Sequence, residues 1–340
     1  MATRAGNPAV LGVVFGLVLP AVSLVLWPFQ SADADARVVT VYTAHHQEIL
    51  DELLPEFEKA TGIRANVVKL GGSGDVIRRV RAEQADPKCD VIWSISADQL
   101  HAYPELLRPP PESFWGPIAD EFRVGNGWVP YTGIVMCFVV NTDQLQGEQI
   151  PRRWSDLTRA DLKGRISSSR ADKSGTAYTQ LWTVLCAYPE RGWEVYRGIM
   201  ANAVLSPSSS AVPRLVNDGE RAVGITIEDN AYRYLKGGGP VQIVYPEDGT
   251  VAVPDGCALV KDSPHPREGL VFLQWALSQK TQDFLVEHMG RRPVRKDGAR
   301  PPDLPALSEL QTFPYDFDAA AEQKDALMER WAKLITELGS

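Results

Sequence analysis

At 340 residues, 44% of them hydrophobic and 23% charged, the chain is long enough for two ordinary domains and has the composition of a folded protein. A formal charge of -8 argues against nucleic acid as a partner, because a phosphate-tracking surface needs a basic face. Small anions stay open, since they require only a local cluster of donors.

Arg4 is followed at 8–29 by PAVLGVVFGLVLPAVSLVLWPF, which carries no charge. The pattern predicts an export signal within residues 1–36, with A-x-A-like cleavage sites at Ala32, Ala34 and Ala36. The run approaches the ~20 residues that span a bilayer, so a retained anchor is the alternative to cleavage. The expected location is periplasmic or otherwise extracytoplasmic.

Arg37 to Tyr42 alternates as a strand, and ILDELLPEFEKATG sets Leu53, Leu54 and Phe57 at helical spacing before Gly62 stops the helix. IRANVVKL is a second strand. The loop GGSGD then leads into the helix VIRRVRAEQAD, with Ser73 or Asp75 as its expected cap. CDVIWSIS is a third strand with Asp90 at its mouth. Three βα units predict a parallel sheet with right-handed crossovers and ligands at its carboxyl edge.

Beyond a Pro-rich loop and the strand YTGIVMCFVVNTDQL, a second βα system runs through GRISSSRADKSGTAYTQLWTVL, NAVLSPSSSAVPRLVN and RAVGITIEDNAYRYLKGG. VQIVYPEDGTVAVPDGCALVK returns as two strands, and the tail alternates amphipathic helices with GRRPVRKDGARPPDLP. The simplest architecture is two α/β lobes: 37–139 plus 252–295, and 140–251 plus 296–340, with hinge candidates near 139–142 and 245–253. Cys89, Cys137, Cys186 and Cys257 lack CxxC spacing; Cys137 and Cys257 either meet as a disulfide on neighbouring strands or stay as buried thiols.

Polar clusters recur where strands give way to helices: Thr43–His46, Gly71–Asp75, Ser94–Asp98, Ser174–Thr176, Ser206–Ser210 and Glu228–Asn230. Helix starts expose unpaired N–H groups and partial positive charge, so several converging on one cleft suit phosphate or carboxylate, whereas each alone is only a cap. GGSGD has neither nucleotide-loop spacing, and TAHHQE lacks the i, i+4 histidines of HExxH. Adjacent histidines project differently, so one of His45 and His46 is expected in the cleft and the other turned away as a structural residue. No nucleophile arrangement appears, which argues against an enzyme.

In this order, VTVYTAHHQEILDELLPEFEKATGI, DVIWS, YTGIVMCFVVNTDQL, PRRWSDL and GERAVGITIEDNA resemble the extracellular solute-binding proteins of ABC importers, over about residues 38–335. The most similar branch contains binding proteins for ferric iron, sugar phosphates, phosphoglycerate and aminoethylphosphonate. The resemblance implies a two-lobed type II periplasmic binding protein fold with a hinge and an inter-lobe ligand cleft. It also implies no catalysis, no cofactor, a small anionic ligand and a membrane permease as partner; a monomer is expected.

Of the ferric ligands, the histidine falls on His46, the acidic residue near Ile95, which cannot coordinate, and the tyrosine pair about at Asp229 and Asn230. Phosphate or phosphonate is therefore favoured, with Thr43, His46, Ser73, Gly74, Ser94, Ser174, Gly175 and Thr176 as ligand residues and Glu228 and Asp229 addressing the remainder of the ligand. The alternatives are ferric iron on His46, Glu228 and Asp229, and a membrane-anchored sensor for a signalling partner.

Overall fold

The computed structural model describes residues 37–339 except 125, 126 and 207. The expected export signal at 1–36 lies outside the described residues, and no described helix is long and apolar enough to cross a membrane.

β1 (Val38–Thr43), α1 (Gln47–Thr61), β2 (Arg64–Lys69), α2 (Ser73–Ala82) and β3 (Val91–Ser96) alternate as the patterning predicts. α1 buries Ile49, Leu50, Leu53 and Phe57 as one stripe. Gly62 ends it at φ 67°, in the left-handed region open to a residue without Cβ, and its N–H donates to the Glu58 carbonyl at 2.8 Å. β1 pairs in parallel with β2 on one side and β3 on the other, so all three strands deliver their carboxyl ends to one edge.

α3 (Ala97–His101), β4 (Leu107–Arg108) and the long β5 (Val129–Asn141) follow. The second βα system comprises β6 (Ile166–Ser169), α4 (Gly175–Ala187), α5 (Gly192–Asn202), β7 (Ala203–Ser206), α6 (Ala211–Asn217), β8 (Val223–Ile227) and α7 (Glu228–Lys236). After it come β9 (Val241–Val244), β10 (Thr250–Val260), α8 (Pro266–Ala276), α9 (Gln279–Met289), β11 (Arg292–Pro293), β12 (Thr312–Phe313), α10 (Phe317–Glu322) and α11 (Lys324–Leu338). The strands run in the order β2-β1-β3-β10-β5-β8-β6-β7, with the shorter ones attached to β5 and β10.

β5 pairs with β10 over Val129–Val135 and with β8 over Met136–Val140. One strand thus belongs to both halves, and its change of partner falls a few residues before the expected connection at 139–142. β11 lies against β5 at this point, Arg292 opposite Gly133.

Side chains of β3 feed two cores. Val91 and Trp93 pack with Phe57 and Phe272, whereas Ile92 on the opposite face joins Phe138, Tyr178 and Trp331, and so does Ile95, because Ser94 at φ 54° interrupts the alternation. Phe57 and Trp93 approach the Phe272 ring edgewise at centroid distances of 4.9 and 5.2 Å, contacts worth ~0.5–1.5 kcal/mol each beyond area burial. All four cysteines are free. β5 and β10 are neighbours, but their register sets Cys257 opposite Val129, while Cys137 faces Thr226 of β8. The extended chain from Val129 to Cys137, about 26 Å at ~3.3 Å per residue, keeps the thiols apart.

Candidate functional site

Helix starts from both βα systems converge on a cavity of about 90 Å³, lined by His45, His46, Gly72, Ser73, Ser94 and Ser96 on one side and by Ser174, Gly175, Thr176 and Asn230 on the other, with Asp255 and Arg291 completing it. Such a volume is far below the ~300–1,000 Å³ of pockets for drug-sized molecules and suits a compact group. α1 and α2 begin at His46 and Gly72 with no side-chain cap, so their first N–H groups keep their donor capacity, although in α2 the Asp75 N–H already donates to the Gly72 carbonyl at 3.0 Å. α4 is capped as expected: the Ser174 hydroxyl accepts the Ala177 N–H at 3.2 Å. Ser73 does not cap α2. It is the first helical residue, and its hydroxyl accepts the Ser96 N–H at 3.2 Å, tying α2 to the end of β3.

His45 and His46 both reach this wall, so the expected division into an inward and an outward histidine is not seen. The reason is local: residues 44–46 form an irregular turn between β1 and α1, where the alternation of a strand does not apply. His45 is 2% exposed, with its ring edge-on to Trp93 at 4.7 Å and to Tyr131 at 5.6 Å, and its Nε2 has no protein partner. His46 Nε2 lies 2.6 Å from Asn230 Oδ1. Burial lowers the pKa of both imidazoles, most strongly that of His45; for His46 the Arg233 charge adds to burial while Asp229 opposes it.

His45 is therefore neutral in the folded protein, whereas in the unfolded chain it protonates near pH ~6.5. Its contribution to stability is complete above that pH and is lost as pH falls toward the lower folded value. Urea unfolding between about pH 7.5 and pH 5.5 is expected to cost the wild type about 1.4 kcal/mol more than His45→Gln. Equal losses would show that the folded protein protonates His45 freely.

Arg291 forms the floor. Its Nη1 donates to Thr132 Oγ1 at 2.8 Å and to Asp255 Oδ2 at 3.0 Å, and its Nε lies 2.9 Å from Asp229 Oδ2. Burial alone would lower the Arg291 pKa, but Asp229 and Asp255 raise it above the ordinary arginine value, so the charge is fixed. Asp255 is saturated: Thr132 N–H and Oγ1–H reach Oδ1 at 2.8 and 2.7 Å, while Ser94 and Arg291 take Oδ2. Ser94 is presented by a backbone at φ 54°, near the point where the β3–β10 register shifts. A non-glycine residue in that region costs ~1–3 kcal/mol.

His46, Ser73, Ser94, Ser174, Gly175 and Thr176 thus share one cavity wall. Thr43 and Gly74 do not reach it; the buried Thr43 hydroxyl donates to the Trp93 carbonyl at 2.7 Å and accepts the His45 N–H at 3.0 Å, fixing the turn. Glu228 is also withdrawn, held by Arg292 through two 2.7 Å hydrogen bonds and by the Tyr245 hydroxyl. Asp229 lines an adjoining pocket instead. The metal alternative of His46, Glu228 and Asp229 is not assembled: among the described residues no three His, Cys, Asp or Glu side chains group to hold a metal, and both carboxylates face arginines. Arg291 and Asp255 escaped the sequence reading, whereas Asn230 belonged to the Glu228–Asn230 cluster without being carried into the ligand residues; for Arg291 the one available signal was the adjacent pair Arg291–Arg292, complementary to Glu228–Asp229.

The profile of the family described as bacterial extracellular solute-binding protein matches residues 39–290. A Salmonella typhimurium periplasmic protein named for 2-aminoethylphosphonate binding is 25% identical over 296 residues, covering 83% of this chain and 86% of its own. Among solved structures, the periplasmic binding protein AfuA of Actinobacillus pleuropneumoniae, with fructose-6-phosphate bound, superposes with a TM-score of 0.83 at 22% identity, over 89% of this chain and 99% of that one. Iron-bound HitA of Pseudomonas aeruginosa gives 0.77 at 21% identity, over 89% and 100%. With that architecture and a profile spanning most of its length, the chain belongs to the bacterial extracellular solute-binding protein family.

Proposed function

We propose that the protein captures a small solute bearing a phosphate or phosphonate group between two lobes and delivers it to the membrane permease of an ABC importer. The observation that carries the ligand class is the convergence of the uncapped starts of α1 and α2 with the buried Arg291 on one small cavity. Asp229 and Asp255 outweigh Arg291 in formal charge, so anion affinity comes chiefly from neutral donors, namely helix N–H groups and the Ser96, Thr176 and His45 side chains. Such donors favour an oxyanion with several acceptor oxygens. The fructose-6-phosphate bound to AfuA and the name of the Salmonella relative agree with this class.

Closure is the signal passed to the permease, and a ligand achieves it by binding the closed state better than the open one. The shared strand β5 and the return strand β10 are the hinge of this proposal, and the uncharged stretch at 8–29 supports export, in keeping with periplasmic relatives. Thermal unfolding tests the ligand class. A phosphomonoester or phosphonate at ~100 times its Kd should add ~2.7 kcal/mol of stability. If ferric citrate alone raised the melting temperature, the phosphorus reading would be wrong.

A further inference from the structure

A second pocket, of about 360 Å³, adjoins the anion cavity and shares His46 and Asn230 with it. The 2.6 Å contact between His46 Nε2 and Asn230 Oδ1 is the partition between the two spaces. Asp229 and Arg233 stand in this pocket one helical turn apart on α7, a spacing that puts them on one face with Cβ atoms ~5–6 Å apart. They do not pair with each other. Asp229 is 8% exposed; its Oδ2 faces Arg291 while its Oδ1 has no hydrogen-bond partner. Arg233 Nε is likewise buried without a partner. Its guanidinium is steadied over the Tyr234 ring at 5.0 Å, its Nη2 donates to the Tyr234 hydroxyl at 3.5 Å, and its nearest carboxylate is Glu48 at 3.8 Å, a side chain 71% exposed.

The pocket therefore holds, side by side, a carboxylate with one oxygen still free and a guanidinium whose partners are only the Tyr234 hydroxyl at 3.5 Å and the exposed Glu48. A polyol tail would supply hydroxyl donors to Asp229 but no anion for Arg233. An aminoalkyl tail would supply the ammonium alone, and a hydroxy acid the carboxylate without a cation for Asp229. An α-amino acid head carries both charges on adjacent atoms and meets both residues at once.

Resting on the reading of the first cavity as a phosphate or phosphonate site, we propose that the ligand is a phosphorylated or phosphono α-amino acid. Its ammonium lies on Asp229 and its carboxylate on Arg233, displacing the exposed Glu48. Its phosphorus group lies against the starts of α1 and α2. The ligand spans the partition, so His46 exchanges Asn230 for a phosphate oxygen.

Calorimetric titration of the purified protein with O-phosphoserine, 2-aminoethylphosphonate, 3-phosphoglycerate and inorganic phosphate tests this assignment. O-phosphoserine should bind at least about tenfold tighter than each of the other three, a difference of about 1.4 kcal/mol. Arg233→Gln should bring O-phosphoserine down to the affinity of 2-aminoethylphosphonate; because Arg233 is only partly buried, this variant keeps the fold, as its unfolding curve would verify. If any of the other three binds as tightly as O-phosphoserine, or Arg233→Gln retains the preference, the amino acid assignment is overturned while the phosphorus site stands. If none of the four binds, the reading of the first cavity fails with it.

Discussion

Arg291→Met is expected to cost about 3–5 kcal/mol of folding stability and to abolish measurable ligand binding. The guanidinium lies between Asp229 and Asp255, all three nearly excluded from water. Truncating it leaves two buried carboxylates without a counter-charge, and the magnitude reflects that orphaned charge rather than the strength of the ion pairs themselves. The Ser94 and Thr132 hydroxyls also lose the donor that organises them around Asp255. Urea unfolding checks the stability loss. Adding Asp255→Asn to Arg291→Met should recover part of it by removing one uncompensated charge, without restoring the ligand site. A stability loss below about 1 kcal/mol would mean that water reaches these carboxylates and that the floor is not the dry charged network described.

Gly175→Ala is expected to separate ligand affinity from folding. A methyl group at this position would lie 2.5 Å from Ser96 Cβ and 3.0 Å from Ser73 Oγ, so the start of α4 could not rest against β3 and α2. Gly72 makes a matching approach, where a Cβ would stand 2.5 Å from the Lys173 carbonyl oxygen. These contacts join residues on opposite sides of the cleft, so a bulkier residue wedges it open. Overpacking of this kind costs ~1–3 kcal/mol, equivalent to about 5- to 150-fold in affinity. Gly175 is the first residue of α4, where alanine is no worse a helix former, so an unliganded protein that rests open should unfold about as readily as wild type. Adding Ser96→Gly removes the colliding atoms and should restore closure in scattering, though not the hydrogen bond that the Ser96 hydroxyl gives the ligand. Solution scattering should find Gly175→Ala more open in the presence of ligand; unchanged affinity would show that closure does not bring α4 onto Ser96.

Much of the fold was legible because its signals are local. The stripe of α1 is stopped by Gly62 directly after the fifteen residues that define it, and the strands β1 to β3 announce themselves by alternating or continuous apolar runs. Several site residues were legible for the same reason: Ser174, Gly175 and Thr176 stand where a strand pattern yields to a helical one. What escaped depends on contacts between distant segments. Arg291 follows the helix terminator Gly290 in a basic loop sequence, with nothing nearby to mark it as buried; its partners Asp229 and Asp255 belong to other elements. Glu228 and Asp229 were indistinguishable as neighbours in sequence, but the turn of α7 sends one to Arg292 and Tyr245 and the other to the second pocket. The thiols Cys137 and Cys257 failed to meet because strand adjacency does not set register.

Phosphorus NMR of the purified protein, stripped of bound solute by unfolding and refolding, addresses the central claim most directly. With O-phosphoserine, methylphosphonate and inorganic phosphate added in turn, at least the best of them should give a shifted bound resonance that saturates at one equivalent, and saturation should need more ligand when Gly175 is replaced by Ala. Sharp free resonances alone for all three compounds, up to about 10 mM and therefore weaker than ~3 kcal/mol of binding, would contradict an anion site in this cavity.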